Sequence, residues 1–170
     1  MITSKQLSSK PVITISDGKR LGEVKDLYLD ADVRRAVGIY LGTEGLIKRK
    51  ELIIPREAIQ VSGVDVWLVS DNEAVTSKDQ VPDSAGFTLV GNLKGREIQT
   101  DGGTKLGTVE DVLLDNNLNV LGFSLGKVYA QGPIAERKTI ARDAITSLGS
   151  KDEQMVADLA QAESLSIPEA

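Results

Sequence analysis

The 170-residue chain contains neither cysteine nor histidine. The first absence excludes disulfides and thiol chemistry, and it fits a reducing compartment. The second removes the commonest general base and the commonest transition-metal ligand, so the Ser and Thr hydroxyls have no imidazole to activate them. We therefore predict that the protein is not an enzyme and that it has no catalytic, cofactor-binding or metal-binding residues.

Aromatic residues make up only 4% of the chain, and the net charge is −5. The few aromatic side chains are not interleaved with basic ones, as they are in surfaces that stack nucleic-acid bases. An acidic chain also has no general attraction for phosphate backbones. The composition therefore predicts no DNA partner and argues against RNA.

Long apolar runs are also missing. No eighteen consecutive apolar residues occur that would span a bilayer. Residues 1–6 lack the apolar run of a signal peptide. We expect a cytoplasmic protein without a membrane span, for which peripheral association with a membrane stays open.

What the chain does contain is one pattern written twice. Residues 21–30 read LGEVKDLYLD, and residues 106–115 read LGTVEDVLLD. Two further blocks recur in the same order: VGIYLG returns as LGFSLG, and IPREAI returns as IARDAI. This agreement predicts a tandem duplication of a unit of about 80 residues. We assign residues 1–75 to a first domain, 76–85 to a linker and 86–170 to a second domain, and expect the two small units to pack on each other.

Within each repeat the pattern predicts short strands. The Asp17-Gly18 dipeptide favours a tight hairpin turn, and the second repeat has Asp101-Gly102-Gly103 at the same place. The apolar positions change parity in the middle of the next strand, which indicates a β-bulge near Lys25–Asp26 and again near Glu110–Asp111. Such a kink would let a small sheet curl.

Three other segments carry local predictions. Residues 55–59 are expected to form a short helical turn that Pro55 opens. Trp67, between Val66 and Leu68, is interpreted as a core residue, with an interface anchor as the alternative. Residues 152–162 are rich in helix formers, so a C-terminal helix is slightly favoured over a strand at Met155–Val156.

The repeated LG-x-V-x-D-hydrophobic-x-LD strand, the alternating strand after it and the IPREAI block together resemble the PRC-barrel family. The resemblance implies an all-β fold of two tandem small antiparallel β-barrels with short helical turns. It also implies docking onto a larger protein assembly, which is a photosynthetic complex in one branch of the family and a ribosomal protein in another. We accordingly predict a non-catalytic protein-binding adaptor, associated with a photosynthetic complex and peripheral to the thylakoid or plasma membrane. A ribosome-maturation-like module that binds ribosomal protein or RNA is the alternative, although such factors carry a different N-terminal domain.

The variable loop of each repeat supplies the candidate partner-binding residues, because loops on a rigid scaffold often hold specificity. The first loop ends in a dense cationic run, for which a solvated loop is the ordinary explanation. The candidates are Lys48, Arg49 and Lys50 in the first repeat and Tyr129, Arg137 and Lys138 in the second.

Repeated aspartates raise a last alternative, a metal-dependent enzyme that uses Asp26 and Asp111. The competing interpretation is that these two carboxylates cap backbone groups at the bulges, while Asp30 and Asp115 begin turns. Residues 115–119 imitate the opening of a calcium loop but lack its glycine and its final glutamate. We interpret them as a hairpin loop without a metal.

Overall fold

The computed structural model of the chain describes residues 1–150 and 152–168. Within these ranges the chain forms sixteen strands and three short α-helices, so the all-β prediction is confirmed. The strands are β1 (Ile2–Thr3), β2 (Pro11–Thr14), β3 (Arg20–Glu23), β4 (Asp26–Leu29), β5 (Ala36–Glu44), β6 (Lys50–Pro55), β7 (Ile59–Val61), β8 (Trp67–Val69), β9 (Thr76–Ser77), β10 (Thr88–Leu89), β11 (Glu97–Thr100), β12 (Lys105–Leu114), β13 (Val120–Val128), β14 (Thr139–Ala141), β15 (Ile145–Ser147) and β16 (Met155–Ala157). The helices are α1 (Ser4–Leu7), α2 (Pro133–Arg137) and α3 (Leu159–Ser164).

The chain divides into two compact units. The N-terminal unit is Ser4–Leu89, and the C-terminal unit combines Met1–Thr3 with the described residues from Val90 onward. No helix in the described ranges is long and apolar enough to cross a bilayer.

The N-terminal unit contains two sheets, with strand orders β3-β2-β8-β7 and β10-β4-β5-β6-β9. The predicted hairpin of β2 and β3 around Asp17-Gly18 is present. β8 lies parallel to β2, with Trp67 opposite Val12. Trp67 is fully buried, which confirms its assignment to the core.

The C-terminal unit has one sheet, with the order β14-β13-β12-β11-β16-β15 and with β1 paired to β12. β16 lies parallel to β11, with Met155 opposite Ile98. Its core contains Phe123 and Ile140, which lie opposite each other on β13 and β14 and are fully shielded from solvent.

The sheets differ from the predicted antiparallel barrels in two details. Each unit contains one parallel pair, because the short hairpin β7–β8 places β8 beside β2 and the short hairpin β15–β16 places β16 beside β11. Within the described ranges the strand order of every sheet is an open path rather than a closed ring.

The predicted irregularity in the repeated strand is confirmed. In the N-terminal unit the strand stops at Glu23 and resumes at Asp26. In the C-terminal unit β12 is continuous, but its register with β13 shifts between Val109 and Asp111. In a regular strand, Val109 and Val112 would point to opposite faces. Because the register shifts between them, both side chains are buried.

The residues predicted to form a linker, 76–85, contain β9 and two 3-10 turns. β9 pairs with β6, and β10, which follows, pairs with β4 through Leu89 opposite Tyr28. The Phe87 ring lies 6.3 Å from the Tyr28 ring. Residues 76–89, which we call the covering segment, therefore add one strand to each edge of the β4–β5–β6 sheet and place Phe87 against Tyr28.

The prediction of a helix over residues 152–162 is wrong for the first half of that segment. Met155–Ala157 form β16, and the helix α3 begins only at Leu159. Asp158 caps it by accepting a hydrogen bond from the Gln161 amide at 2.9 Å. Met155 and Ala157 are buried beside β11, so long-range strand pairing outweighs the local helix propensity.

Candidate functional site: an exposed hairpin tip

The hairpin that joins β5 to β6 ends in an exposed loop, which we call the hairpin tip (residues 45–50). The last strand pair below it is Glu44 opposite Lys50. Gly45 has a φ of +102°, and a methyl group there would collide with the carbonyl oxygen of Lys48. The backbone of this tight loop therefore requires glycine at its first position.

The hairpin tip presents two aliphatic side chains to solvent. Leu46 is 101% exposed and Ile47 is 97% exposed, more than any other large apolar residue among those described. Lys48, Arg49 and Lys50 follow directly and are exposed as well. The predicted cationic run is thus brought together in space, beside an apolar pair whose importance the charge pattern did not indicate.

The base of the hairpin is held by a polar and aromatic cluster. The Tyr28 hydroxyl donates a hydrogen bond to Glu51 Oε2 at 2.9 Å, and Lys78 Nζ lies 3.6 Å from the same carboxylate oxygen. The rings of Tyr28 and Tyr40 meet edge to face at 5.6 Å. Burial, and then the hydrogen bond to Glu51, raise the pKa of the Tyr28 hydroxyl. Glu51 is thereby paired with Tyr28 and Lys78 at the base of the hairpin.

Tyr28 was missed by sequence reasoning. Strict alternation places it opposite Leu27 and Leu29, on a face expected to meet solvent, yet all three side chains are buried. Tyr28 is buried because the rings of Tyr40 and Phe87 pack against it and β10 pairs with β4 at the sheet edge. The available signal was the lone Phe87 in an otherwise polar segment.

The corresponding segment of the C-terminal unit, residues 127–138, folds differently. It contains α2, and Ile134 of that helix is fully buried. Arg137 Nη2 donates hydrogen bonds to the carbonyl oxygens of Ala162 and Glu163 in α3, at 2.9 and 2.7 Å. Lys138 ends α2 with a φ of 56° and is exposed, and Tyr129 is 49% exposed. Of the three candidates in this unit, Arg137 is engaged within its own fold.

The repeated aspartates accept hydrogen bonds from backbone amides close to them in the sequence. Asp26 accepts a hydrogen bond from the Leu27 amide at 2.7 Å, and Asp111 accepts one from the Val112 amide at 2.8 Å. Asp30 accepts one from the Arg34 amide at 2.7 Å. These contacts confirm the interpretation as bulge and turn caps.

Asp115 likewise closes its own loop. It accepts hydrogen bonds from the amides of Asn117 and Asn119, at 2.8 and 2.9 Å. The Asn119 side-chain amide adds a third at 3.0 Å. In the part of the chain that the structure describes, no group of three acidic side chains is arranged to hold a metal ion.

The N-terminal unit also has an open cleft of about 680 Å³. Its apolar wall includes Val37, Pro55 and Phe87, and carboxylates such as Glu57 stand at its rim. The matching place in the C-terminal unit is lined by Ile167 and by other residues of the segment after α3. The cleft has the volume of a small-molecule site, and the covering segment supplies part of its wall, including Val81 and Phe87.

The fold is an all-β scaffold of two compact units, and the hairpin tip is an exposed loop on the first of them. The family model for the PRC-barrel domain matches residues 1–74. The chain is also 33% identical over 78 residues to the probable sporulation protein YlmC of Bacillus subtilis (strain 168), an alignment that covers 43% of this chain and 96% of that relative. The chain belongs to the PRC-barrel family.

Proposed function

We propose that the protein is a non-catalytic cytoplasmic adaptor that docks onto a larger assembly through the hairpin tip. The observation that carries this proposal is the full exposure of Leu46 and Ile47 beside three consecutive cations. An exposed apolar patch that is rimmed by polar or charged residues is typical of an interaction site. The edge-to-face contact and the hydrogen bond hold the base of the hairpin, which limits the number of residues that binding has to order.

The aspartates support an adaptor rather than an enzyme. Each of the two bulge carboxylates, Asp26 and Asp111, already accepts a hydrogen bond from the next backbone amide. A general base or metal ligand needs a lone pair directed at substrate or metal. The carboxylate geometry therefore suits the structural role, and the metal-dependent enzyme is the weaker hypothesis.

We further propose that the two units are tandem PRC-barrel copies, with residues 1–75 and 86–170 as their sequence limits. Matching strand registers support this. Gly38 lies opposite Pro55 on β5 and β6, and Gly122 lies opposite Ala141 on β13 and β14. In each unit a two-residue strand also pairs with the repeated strand: Thr88 lies opposite Leu29, and Ile2 lies opposite Leu114.

The identity of the assembly belongs to the same proposal. The resemblance to the reaction-centre branch of the family suggests a photosynthetic complex. The name of the Bacillus relative suggests an assembly formed during sporulation. Both fit a docking role, and neither changes the residues that we assign to it.

Affinity capture from native lysate tests the adaptor role. The wild-type chain should retain a high-molecular-weight assembly, and the triple variant Lys48→Gln/Arg49→Gln/Lys50→Gln should lose it while its melting temperature stays unchanged. A triple variant with neutralised cations elsewhere, Lys19→Gln/Lys25→Gln/Lys127→Gln, should retain the assembly. Equal retention by the tip variant and the wild type would exclude the hairpin tip as the docking element.

A further inference from the structure

The corresponding loops of the two units differ in whether their aliphatic side chains are buried or exposed. In the C-terminal unit the segment between β13 and β14 folds back as α2 and buries Ile134 completely. In the N-terminal unit the segment between β5 and β6 leaves Leu46 and Ile47 entirely in solvent. The fold therefore does not require exposed aliphatic side chains at this position. The exposure of Leu46 and Ile47 is specific to the N-terminal unit.

We infer that the hairpin tip binds the surface of an anionic membrane. This inference rests on the proposed docking function and names what the docking site contacts. Leu46 and Ile47 enter the boundary between headgroups and acyl chains, where their apolar surface leaves water. Lys48, Arg49 and Lys50 contact the phosphate and carboxylate groups of anionic lipids.

The order of residues along the loop fits this geometry. The apolar pair follows Gly45 at the apex, and Lys50 lies back at the last strand pair opposite Glu44. The cations are therefore displaced from the apex towards the body of the unit. Long basic side chains reach headgroups while their methylenes cover apolar surface, so both classes of side chain are satisfied at one interface.

An acidic protein surface fits the hairpin tip less well. A stable protein interface uses about 20 to 30 residues on each side. The described tip offers two aliphatic and three basic side chains on a convex loop. A lipid surface needs no complementary pocket, and small apolar insertions combined with basic residues are a regular mode of reversible membrane binding.

The charge balance sets the expected strength. Each basic residue near an anionic surface strengthens binding about five-fold, so three give at most about 100-fold between anionic and neutral vesicles. The net charge of −5 reduces this preference, as do the carboxylates near the tip: Glu44 opposite Lys50, and Glu51 and Asp79 beside Arg49 and Lys50. We expect weak, reversible binding that salt suppresses, since the cations act within about one Debye length of the surface.

Vesicle sedimentation with the full chain tests the inference. Phosphatidylcholine vesicles with about 40% phosphatidylserine should bind the wild-type chain at least ten-fold more tightly than pure phosphatidylcholine. Lys48→Gln/Arg49→Gln/Lys50→Gln should abolish this preference. Leu46→Ser/Ile47→Ser should weaken binding to anionic vesicles, because it removes the inserted apolar surface. The control triple variant Lys19→Gln/Lys25→Gln/Lys127→Gln should bind like the wild type to within about two-fold, because its three cations lie outside the tip.

A second measurement places the tip at the lipid. Because the chain has no cysteine, Leu46→Cys provides a single labelling position for an environment-sensitive dye. Its emission should shift to the blue with anionic vesicles, whereas a dye on Lys127→Cys should not shift. Circular dichroism melts confirm that each variant is folded.

Two results would overturn the inference. One is equal binding to neutral and anionic vesicles; the other is anionic binding that survives neutralisation of the tip or is lost as fully in the control triple variant. If the chain does not bind anionic vesicles but still captures an assembly from detergent-solubilised lysate through the tip, then the tip binds protein. In that case the adaptor role is retained and membrane binding is excluded. If both vesicle binding and capture fail, the proposed function fails with the inference.

Discussion

The Tyr28 hydroxyl lies 2.9 Å from Glu51 Oε2 and donates a hydrogen bond to it beneath the exposed hairpin tip. Lys78 completes the arrangement, with its ammonium group 3.6 Å from the carboxylate and 5.7 Å from the centre of the Tyr28 ring. The Glu51 carboxylate at the hairpin base thus joins Tyr28 of β4 to Lys78 of the covering segment. These contacts hold the base of the hairpin that carries the proposed docking site.

Tyr28→Phe tests how much this hydrogen bond stabilises the N-terminal unit. We expect a loss of about 1 kcal/mol at neutral pH, because Glu51 is partly exposed and recovers water when the hydroxyl is removed. The effect also depends on pH. The folded state raises the pKa of Tyr28 above its ordinary value of 10.0, so the wild type keeps this stability below pH 10 and loses it as the hydroxyl ionises at higher pH. Tyr28→Phe should show a shallower loss above pH 10.

Urea unfolding followed by the fluorescence of Trp67 measures this effect. Trp67 is the single tryptophan and is fully buried in the N-terminal unit, so its emission reports the unfolding of that unit. Tyr129→Phe removes a hydroxyl from a half-exposed ring and serves as the control. Identical alkaline profiles for the wild type and Tyr28→Phe would contradict the assigned role of the hydrogen bond.

Gly38→Ala and Gly122→Ala should destabilise the protein by about 1 to 3 kcal/mol each, because both positions lack space for a side chain. A methyl group at Gly38 would lie 2.6 Å from Ile53 Cδ1, and one at Gly122 would lie 2.6 Å from Ile167 Cδ1. Gly126→Ala is the matched control, since its methyl group would have contacts no closer than 3.6 Å. Thermal melts by circular dichroism compare the three variants. If Gly38→Ala lowered the melting temperature and Gly122→Ala did not, the case that the two units are copies would be weaker.

The features that sequence predicted well are local. The Asp17-Gly18 turn, the strand irregularities and the aspartate caps all depend on residues within a few positions of each other, and the repetition of the pattern reinforced each of them. Turn chemistry and side-chain caps act between residues a few positions apart, so a single sequence carries the information.

The features that sequence missed depend on contacts between distant segments. Met155–Ala157 form a strand because β11 lies beside them, although their local propensity favours helix. Tyr28 is buried because Phe87, far along the chain, covers it. The hairpin tip was predicted from its cations alone, since only the folded chain shows that Leu46 is exposed while Ile134 in the matching loop is buried. A composition pattern does not distinguish these two outcomes.

Asp111→Ala should cost about 1 to 3 kcal/mol, whereas Asp111→Asn should cost about 1 kcal/mol or less. Asp111 is 6% exposed, and its carboxylate accepts a hydrogen bond from the Val112 amide and lies 3.7 Å from Lys94 Nζ. Asparagine keeps an acceptor for the amide, but alanine leaves the amide without that side-chain partner. Urea melts give the difference, and the double variant Asp26→Asn/Asp111→Asn should fold like the wild type.

The same variants separate the structural role from a metal site. Addition of Mg²⁺ or Ca²⁺ should leave the melting temperature of the wild-type protein unchanged, because a bound ion would stabilise the folded state in proportion to its occupancy. A metal-dependent rise that disappears in Asp26→Asn/Asp111→Asn would restore the metal-dependent hypothesis.

Arg137→Met should destabilise the C-terminal unit by about 1 to 3 kcal/mol, since it removes two charge-assisted hydrogen bonds to the end of α3. Methionine keeps the aliphatic length of the side chain, so lost packing contributes little. Lys138→Gln, at the exposed neighbouring position, is the control and should melt like the wild type. Hydrogen exchange of the α3 amides would show the loss directly. Unchanged exchange in Arg137→Met would return Arg137 to the list of free binding candidates.

The β2–β3 turn should make the N-terminal unit sensitive to acid. Asp17 accepts hydrogen bonds from the Thr14 hydroxyl and from the Lys19 amide, and the first of these is the main cause that holds the pKa of Asp17 below its ordinary value of 3.8. A carboxylate with a lowered folded-state pKa stabilises the protein above the unfolded value and loses that effect as pH falls through the folded value. Asp17→Asn should therefore melt at a lower temperature than the wild type at pH 7, and the difference should shrink below pH 3.8. Asp101→Asn, in the corresponding turn of the C-terminal unit, controls for the loss of one charge. A difference that stayed constant from neutral to acid pH would show that the Asp17 carboxylate does not stabilise the turn through its charge.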